Sequence, residues 1–217
     1  MSLVADRVTC RYGDRVVLRG ASLAVAPGRV LGLTGPSGSG KSSLARILTG
    51  LRPPDEGTVL VDDRSLSTRR GRMDGRLGLL HQSPGAATDP RMPLRRIIAE
   101  PFSARGRSGP RGAEAADRAA DLARRVGLTP DLLDRYPDQV SAGQLQRVCV
   151  ARALAAAPAY LVCDEPTAML DAASTANIAH LLSELAAEGV GVLAISHDHA
   201  LLDAWAHEVV DIKELAD

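Results

Sequence analysis

Apolar residues in this chain come in short runs, and several of those runs end on a conspicuous polar cluster. Residues 30–33 lead into a glycine-rich stretch and then the helix-prone "SSLARILTGL"; "YLVC" at 160–163 leads into Asp164 and Glu165; "VGVLAIS" at 190–196 leads into His197. Runs this short, bounded by turn residues, predict buried strands. Residues 2–31 read as short β segments with turn signals at Gly13-Asp14 and Pro27-Gly28, and "PPDEGTVLVDD" reads as a turn followed by a strand. "RLGLLHQ", 76–82, is a further strand with a polar end. Between 83 and 140 the texture changes. "PLRRIIAEPF" and "AEAADRAADLARRVGL" carry helical periodicity, and the Gly/Arg/Ser-rich segment 103–112 between them is expected to be mobile. Helices are then expected from about Gly143 and Ala172, with a short one after His197. Strands alternating with helices predict an α/β fold with a mainly parallel core sheet covered on both faces and an inserted helical sub-domain; the short β segments at the N-terminus are expected to form an antiparallel part.

Bulk properties narrow the classes. A length of 217 residues suits one large domain, and a formal net charge of zero with dispersed charges argues against the basic footprint of nucleic-acid binding. No apolar run approaches the roughly 20 residues of a membrane span, and "MSLVADRVTC" does not read as a signal peptide. The expectation is a cytoplasmic protein that docks on a membrane protein. Cys10, Cys149 and Cys163 lie far apart and read as free, buried thiols.

The chemistry begins at Gly35-x-x-x-x-Gly40-Lys41-Ser42, which fits the P-loop template. Strand, glycine-rich turn and helix N-terminus turn amides and the helix dipole toward an anion. Lys41 is one of two lysines in a chain with 24 arginines. Asp164 and Glu165 end a strand, where ligands of parallel sheets sit. Phosphoryl transfer from ATP needs a magnesium ion held by a P-loop hydroxyl and a strand-end acid, plus a group that orients water. Ser42, Asp164 and Glu165 supply these parts. Ser141 precedes an amphipathic helix and is placed to cap it.

The ordered set resembles the ATP-binding cassette (ABC) family over essentially the whole chain: the P-loop, Gln82 at a strand end, "VSAGQ", "LVCDEP", "AMLD" with Asp171, and "ISHD" with His197. The resemblance implies a P-loop ATPase forming one nucleotide-binding domain, with an ATP-binding core at 1–82 and 141–217 and the helical sub-domain at 83–140. It implies that Tyr12 stacks on adenine and that the loop Gly35, Pro36, Ser37, Gly38, Ser39, Gly40, Lys41, Ser42 and Ser43 holds the phosphates. Ser42, Gln82 and Asp164 would contact Mg2+. Glu165 would polarise the hydrolytic water, His197 would touch the γ-phosphate, and Lys41 completes the catalytic set. Ser141, Gly143 and Gln144 would act on ATP bound by a second subunit, with Asp171 also at the nucleotide site. His199 is expected to be surface.

One departure stands out: Ala142 replaces the first glycine of the family's Leu-Ser-Gly-Gly-Gln. A left-handed backbone there would cost about 1–2 kcal/mol, and a helical one next to nothing. "SPGAATDPRMPLRRIIAEP" is similar to the peptide and nickel import class, which implies transmembrane permease subunits, a second ABC ATPase and, indirectly, a solute-binding protein as partners. The implied place is the inner face of the cell membrane. The same texture also fits a carbon–phosphorus lyase accessory ATPase, and a soluble ABC-type ATPase switch or a non-enzymatic regulatory module are rival classes. A GTPase is disfavoured, because the only asparagine, Asn177, is followed by Ile178 rather than by the Lys of a guanine motif.

Overall fold

A computed structural model describes residues 1–66, 74–104, 109–168 and 170–215. Five strands, β3 (Val30–Thr34), β6 (Leu77–Leu80), β7 (Tyr160–Asp164), β8 (Gly191–Ile195) and β9 (Glu208–Asp211), form a sheet in the order β6-β7-β8-β3-β9. Every pairing in it is parallel. All residues of β3 and β8 are buried, and so are all of β7 except Asp164. Burial on both faces is why these strands read as continuous apolar runs. β9 was not anticipated. Its "EVVD" lies at the sheet edge with Glu208 exposed and the rest half-buried, so its pattern is too short and mixed to register as a strand.

The antiparallel part is the second sheet. β1 (Leu3–Tyr12), β2 (Arg15–Val25), β4 (Glu56–Val61) and β5 (Arg64–Ser65) run in the order β2-β1-β4-β5. The β1–β2 hairpin turns at the expected Gly13-Asp14, with Tyr12 opposite Arg15. Helix α1 (Lys41–Leu48) buries Leu44, Ala45, Ile47 and Leu48 in a cluster shared with Val8, Leu18 and Val59 of this sheet and Leu33, Val162 and Ile195 of the parallel one. The helix that starts at the P-loop is thereby clamped between two sheets.

The other core cluster lies across the parallel sheet. Helices α2 (Leu94–Ala104) and α3 (Gly112–Arg125) pack on each other and on α4 (Ala142–Ala155). Leu94, Ile97, Ile98, Ala119 and Ala123 join Val148, Val150 and Leu154 of α4, and through them Leu80, Leu161 and Cys163 of the sheet. Helical part and sheet thus share one apolar cluster, with α4 between them. Arg147 of α4 donates to the carbonyls of Val126 and Gly127, holding the last turn of α3. α5 (Ala172–Ala187) and α6 (His199–Trp205) complete the cover. Of the segment 103–112 expected to be mobile, residues 105–108 lie outside those described; α2 runs to Ala104 and α3 starts at Gly112. Cys10, Cys149 and Cys163 are buried and free. Among the described residues no helix is long and apolar enough to cross a membrane.

Candidate functional site

The end of β3 turns into the P-loop through residues with backbone angles that favour glycine. Gly35 has φ 141° and Gly40, at the N-cap of α1, has φ 104°. A Cβ on Gly40 would lie 2.7 Å from Leu18 Cδ2 and 3.0 Å from Val17 Cγ1, so β2 presses on the loop from outside. Among the described residues no side chain caps α1, so the amides of its first turn are left for whatever the loop holds. Lys41 is 8% exposed, and its ammonium donates to the carbonyls of Gly35 (2.7 Å) and Pro36 (2.9 Å). A compact three-donor ammonium suits these two converging carbonyls better than the planar five-donor fork of arginine would. Ser39 Oγ is buried with no hydrogen-bond partner among the described residues.

Opposite the loop stand the ends of β7 and β8. Ser42 Oγ donates to Asp164 Oδ1 at 3.1 Å, joining the start of α1 to the strand-end acid. Glu165 adopts a left-handed backbone, φ 53°, with its amide donating to Ile195 O at 3.0 Å. That backbone costs about 1–2 kcal/mol for a non-glycine residue. Its side chain is 13% exposed and meets the 73% exposed His197, whose Nδ1 lies 3.0 Å from Glu165 Oε2. Gln82 reaches the same cleft, of about 480 Å³, which is also lined by Val17, Ser37, Gly38, Gly40, Lys41, Ser42, Ser43, Glu165 and His197. The fold therefore brings together the loop, Gln82, Glu165 and His197, with Asp164 attached through Ser42. Another cleft of about 440 Å³ on the antiparallel sheet, lined by Asp6, Arg7, Arg19 and Glu56 among others, shares no lining residue with this one.

Tyr12 stands beside the cleft rather than in its lining, tied to it by a 3.3 Å hydrogen bond between its hydroxyl and Ser43 Oγ. Four other candidates form a separate group. Ser141 caps α4: its Oγ accepts from Gln144 N at 3.2 Å, and Gln144 Oε1 accepts from Ser141 N at 2.9 Å. Asp171 caps α5, accepting from Ser174 N at 2.8 Å and Ser174 Oγ at 2.9 Å. A Cβ on Gly143 would sit 2.9 Å from Ser174 Oγ, so the two helix starts touch at that glycine. None of Ser141, Gly143, Gln144 and Asp171 lines the cleft. Ala142 is the first residue of α4, which places it on the costless side of the two alternatives. His199 is exposed and opens α6, with Asp198 as the cap.

Sequence reasoning missed several residues. Ser174 gave no signal, because its role depends on meeting Gly143. His81 adjoins Gln82; partial burial and the nearby Arg152 hold its imidazole below the ordinary value, against the pull of Asp164. Arg152 donates to Ala87 O at 2.5 Å and lies 3.6 Å from Glu100, linking α4 to α2 and to the segment after Gln82. Arg52 covers one face of Tyr12.

The sequence matches the family described as ABC transporter over residues 18–168. It is 38% identical over 206 residues to a putative peptide import ATP-binding protein of Brucella abortus, covering 91% of this chain and 61% of that one. It is 39% identical over 209 residues to a nickel import ATP-binding protein of Rhodospirillum rubrum, covering 94% of this chain and 75% of that one. The chain thus spans about three fifths of the length of the peptide-import relative. Among solved structures, a dimeric ATP-binding cassette in a post-hydrolysis state bound to ADP and Pi superposes with TM-score 0.82 at 27% identity, over 96% of this chain and 93% of that one. A Clostridium perfringens protein, part of an ABC transporter complex, gives TM-score 0.83 at 27% identity, over 96% and 83%.

Proposed function

This chain belongs to the ABC transporter family, and from that premise we propose that it is the ATP-hydrolysing subunit of an importer, binding Mg-ATP in the P-loop cleft. One observation carries the reading: the Ser42–Asp164 hydrogen bond and the Glu165–His197 contact face the same cleft as the Lys41 ammonium. Phosphate-cradling amides, hard oxygen donors and a carboxylate beside an imidazole are the parts that phosphoryl transfer to water requires.

In this reading Lys41 and the amides of residues 35–43 hold the β- and γ-phosphates. The Ser42 hydroxyl and Asp164 carboxylate are oxygen ligands already in register, which with the Gln82 amide oxygen suits magnesium. Those residues would hold Mg2+, which when bound would supply positive charge to offset that of the phosphates. Glu165 accepts a hydrogen bond from the attacking water and orients it, while His197 steadies the carboxylate and meets the γ-phosphate. Tyr12 offers its ring to the adenine.

Ser141, Gly143, Gln144 and Asp171 lie outside the cleft because they serve the nucleotide of a second cassette packed head to tail. The division into a core, 1–82 and 141–217, and a helical part, 83–140, gives each face its task, the helical part meeting a permease. Partners are then two transmembrane permease subunits, a second ATPase and, indirectly, a solute-binding protein, with the chain held at the inner face of the membrane. The relatives' names point to a peptide or nickel as the solute. The test is phosphate release from Mg-ATP by the purified chain, alone and with its partner ATPase. Release no faster than from a Lys41→Ala variant would overturn the reading.

A further inference from the structure

Tyr12 is the last residue of β1, 44% exposed, and its position is determined from three sides. Its hydroxyl bonds to Ser43 in the first turn of α1. The guanidinium of Arg52 lies over its ring, 4.2 Å from the centroid. Arg52 Nη2 also donates to the carbonyl of Arg11, at 2.5 Å, so the arginine grips the backbone just before Tyr12 as well as its ring. Asp55 fastens both: Oδ2 accepts from Arg11 N at 2.7 Å and lies 3.5 Å from Arg52 Nη2. Arg52 Nε is buried with no hydrogen-bond partner among the described residues. An unpaired buried donor is unusual. It fits a guanidinium whose orientation is set by the ring beneath it and by the Arg11 carbonyl.

We propose that Arg52 is a positioning residue for the nucleobase: it backs Tyr12 so that the ring's other face is presented, already ordered, to a stacking base. The inference rests on the reading of the cleft as an ATP site and adds to it a residue that touches neither phosphate nor base. An aromatic ring held between a cation and a base gains twice. The cation–π contact survives in the complex, and the ring's rotamer freedom is lost on folding rather than on binding. Tyr12 and Arg52 come from different elements, β1 and the segment after α1, so neither neighbourhood in sequence announces the pair.

The test compares Mg-ATP with inorganic triphosphate, which has the phosphates and lacks the base, by calorimetric titration of the purified chain. Arg52→Ala and Arg52→Gln should each weaken Mg-ATP by about five-fold, leave triphosphate affinity unchanged, and keep the parent's thermal midpoint to within a few degrees. Arg52→Lys, which keeps the charge, should recover part of the loss. In a Tyr12→Ala background, Arg52→Ala should cost nothing more. Equal weakening of ATP and triphosphate would overturn the proposal by making Arg52 a support of the loop, and no weakening of either would overturn it outright. A parent chain that binds triphosphate as tightly as ATP would remove the base platform while leaving the P-loop reading standing. A parent chain that binds neither would defeat the ATP reading itself.

Discussion

His197 Nδ1 lies 3.1 Å from Glu165 Oε1 and 3.0 Å from Oε2, at the ends of two neighbouring strands of the parallel sheet. An ionised carboxylate only accepts, so the ring donates its Nδ1–H, shared between the two oxygens. The contact fixes the direction of a carboxylate carried on a left-handed backbone, φ 53°.

Glu165→Gln keeps the shape and removes the charge. Phosphate release should fall by a factor on the order of 10² or more, while Mg-ATP still binds through Lys41, Ser42 and Asp164. The uncleaved complex should run as an ATP-dependent dimer in size-exclusion chromatography, with itself or with the partner ATPase. His197→Ala should also slow release, and Glu165→Gln with His197→Ala should be no slower than Glu165→Gln alone, since both act on one step. Near-normal turnover in Glu165→Gln would remove it from the chemistry.

Lys41→Ala should weaken Mg-ATP about ten-fold or more, the loss of a charge-assisted contact. Lys41→Arg should fail to restore it, because the Gly35 and Pro36 carbonyls converge on a compact ammonium, and a planar guanidinium is bulkier and has its donors in a fixed fork. Titration of both variants with a labelled ATP analogue decides. Recovery in the arginine variant would contradict the steric account.

Gly143→Ala should destabilise the fold by about 1–3 kcal/mol, because the new methyl would meet Ser174 Oγ at 2.9 Å and Cβ at 3.2 Å. Ser174→Ala alone loses its hydroxyl hydrogen bond to Asp171 but removes the closer of the two contacts in the double variant, so the two losses should sum to more than the pair together. Urea denaturation of the four proteins measures it. Strict additivity would show that the two helix starts do not press on each other.

Acid should weaken the fold partly through Asp74. Hydrogen bonds from the Arg76 side chain, opposed by burial and helped by the Arg76 amide, hold its carboxyl below the ordinary value. A depressed folded pKa means stability that is fully present above the ordinary carboxylate range and is lost as pH falls through the depressed value. Denaturation midpoints between pH 7 and pH 3 should therefore drop less steeply below about pH 4 in Asp74→Asn than in the parent. Asp171, lowered chiefly by the Ser174 amide and hydroxyl, acts with the same sign. An unchanged acid limb in Asp74→Asn would show that its contact with Arg76 carries no pH dependence.

Much of the site was legible because its parts are local. The P-loop is a strand, a glycine turn and a helix start within a few residues, and "YLVC" announces Asp164 and Glu165 because a doubly buried strand admits nothing polar until it leaves the sheet. The capping role of Ser141 was legible for the same reason, since a cap bonds within its own first turn. β9 was not, because an edge strand with half-buried residues has no strong pattern.

What the sequence determined by itself was the set of residue types and their order: a P-loop, strand-end acids, a capped helix and a helical insert in an α/β chain. Apolar periodicity and turn chemistry are properties of neighbours along the chain, and they survive in any reading of it. Only the tertiary structure decided the pairings: Ser42 with Asp164, His197 with Glu165, Arg52 behind Tyr12, and Ser174 against Gly143. Each joins residues at least 31 positions apart. Their distances follow from how α1 is clamped between two sheets and how α4 meets α5, and side-chain packing at that range leaves no periodic trace in the sequence.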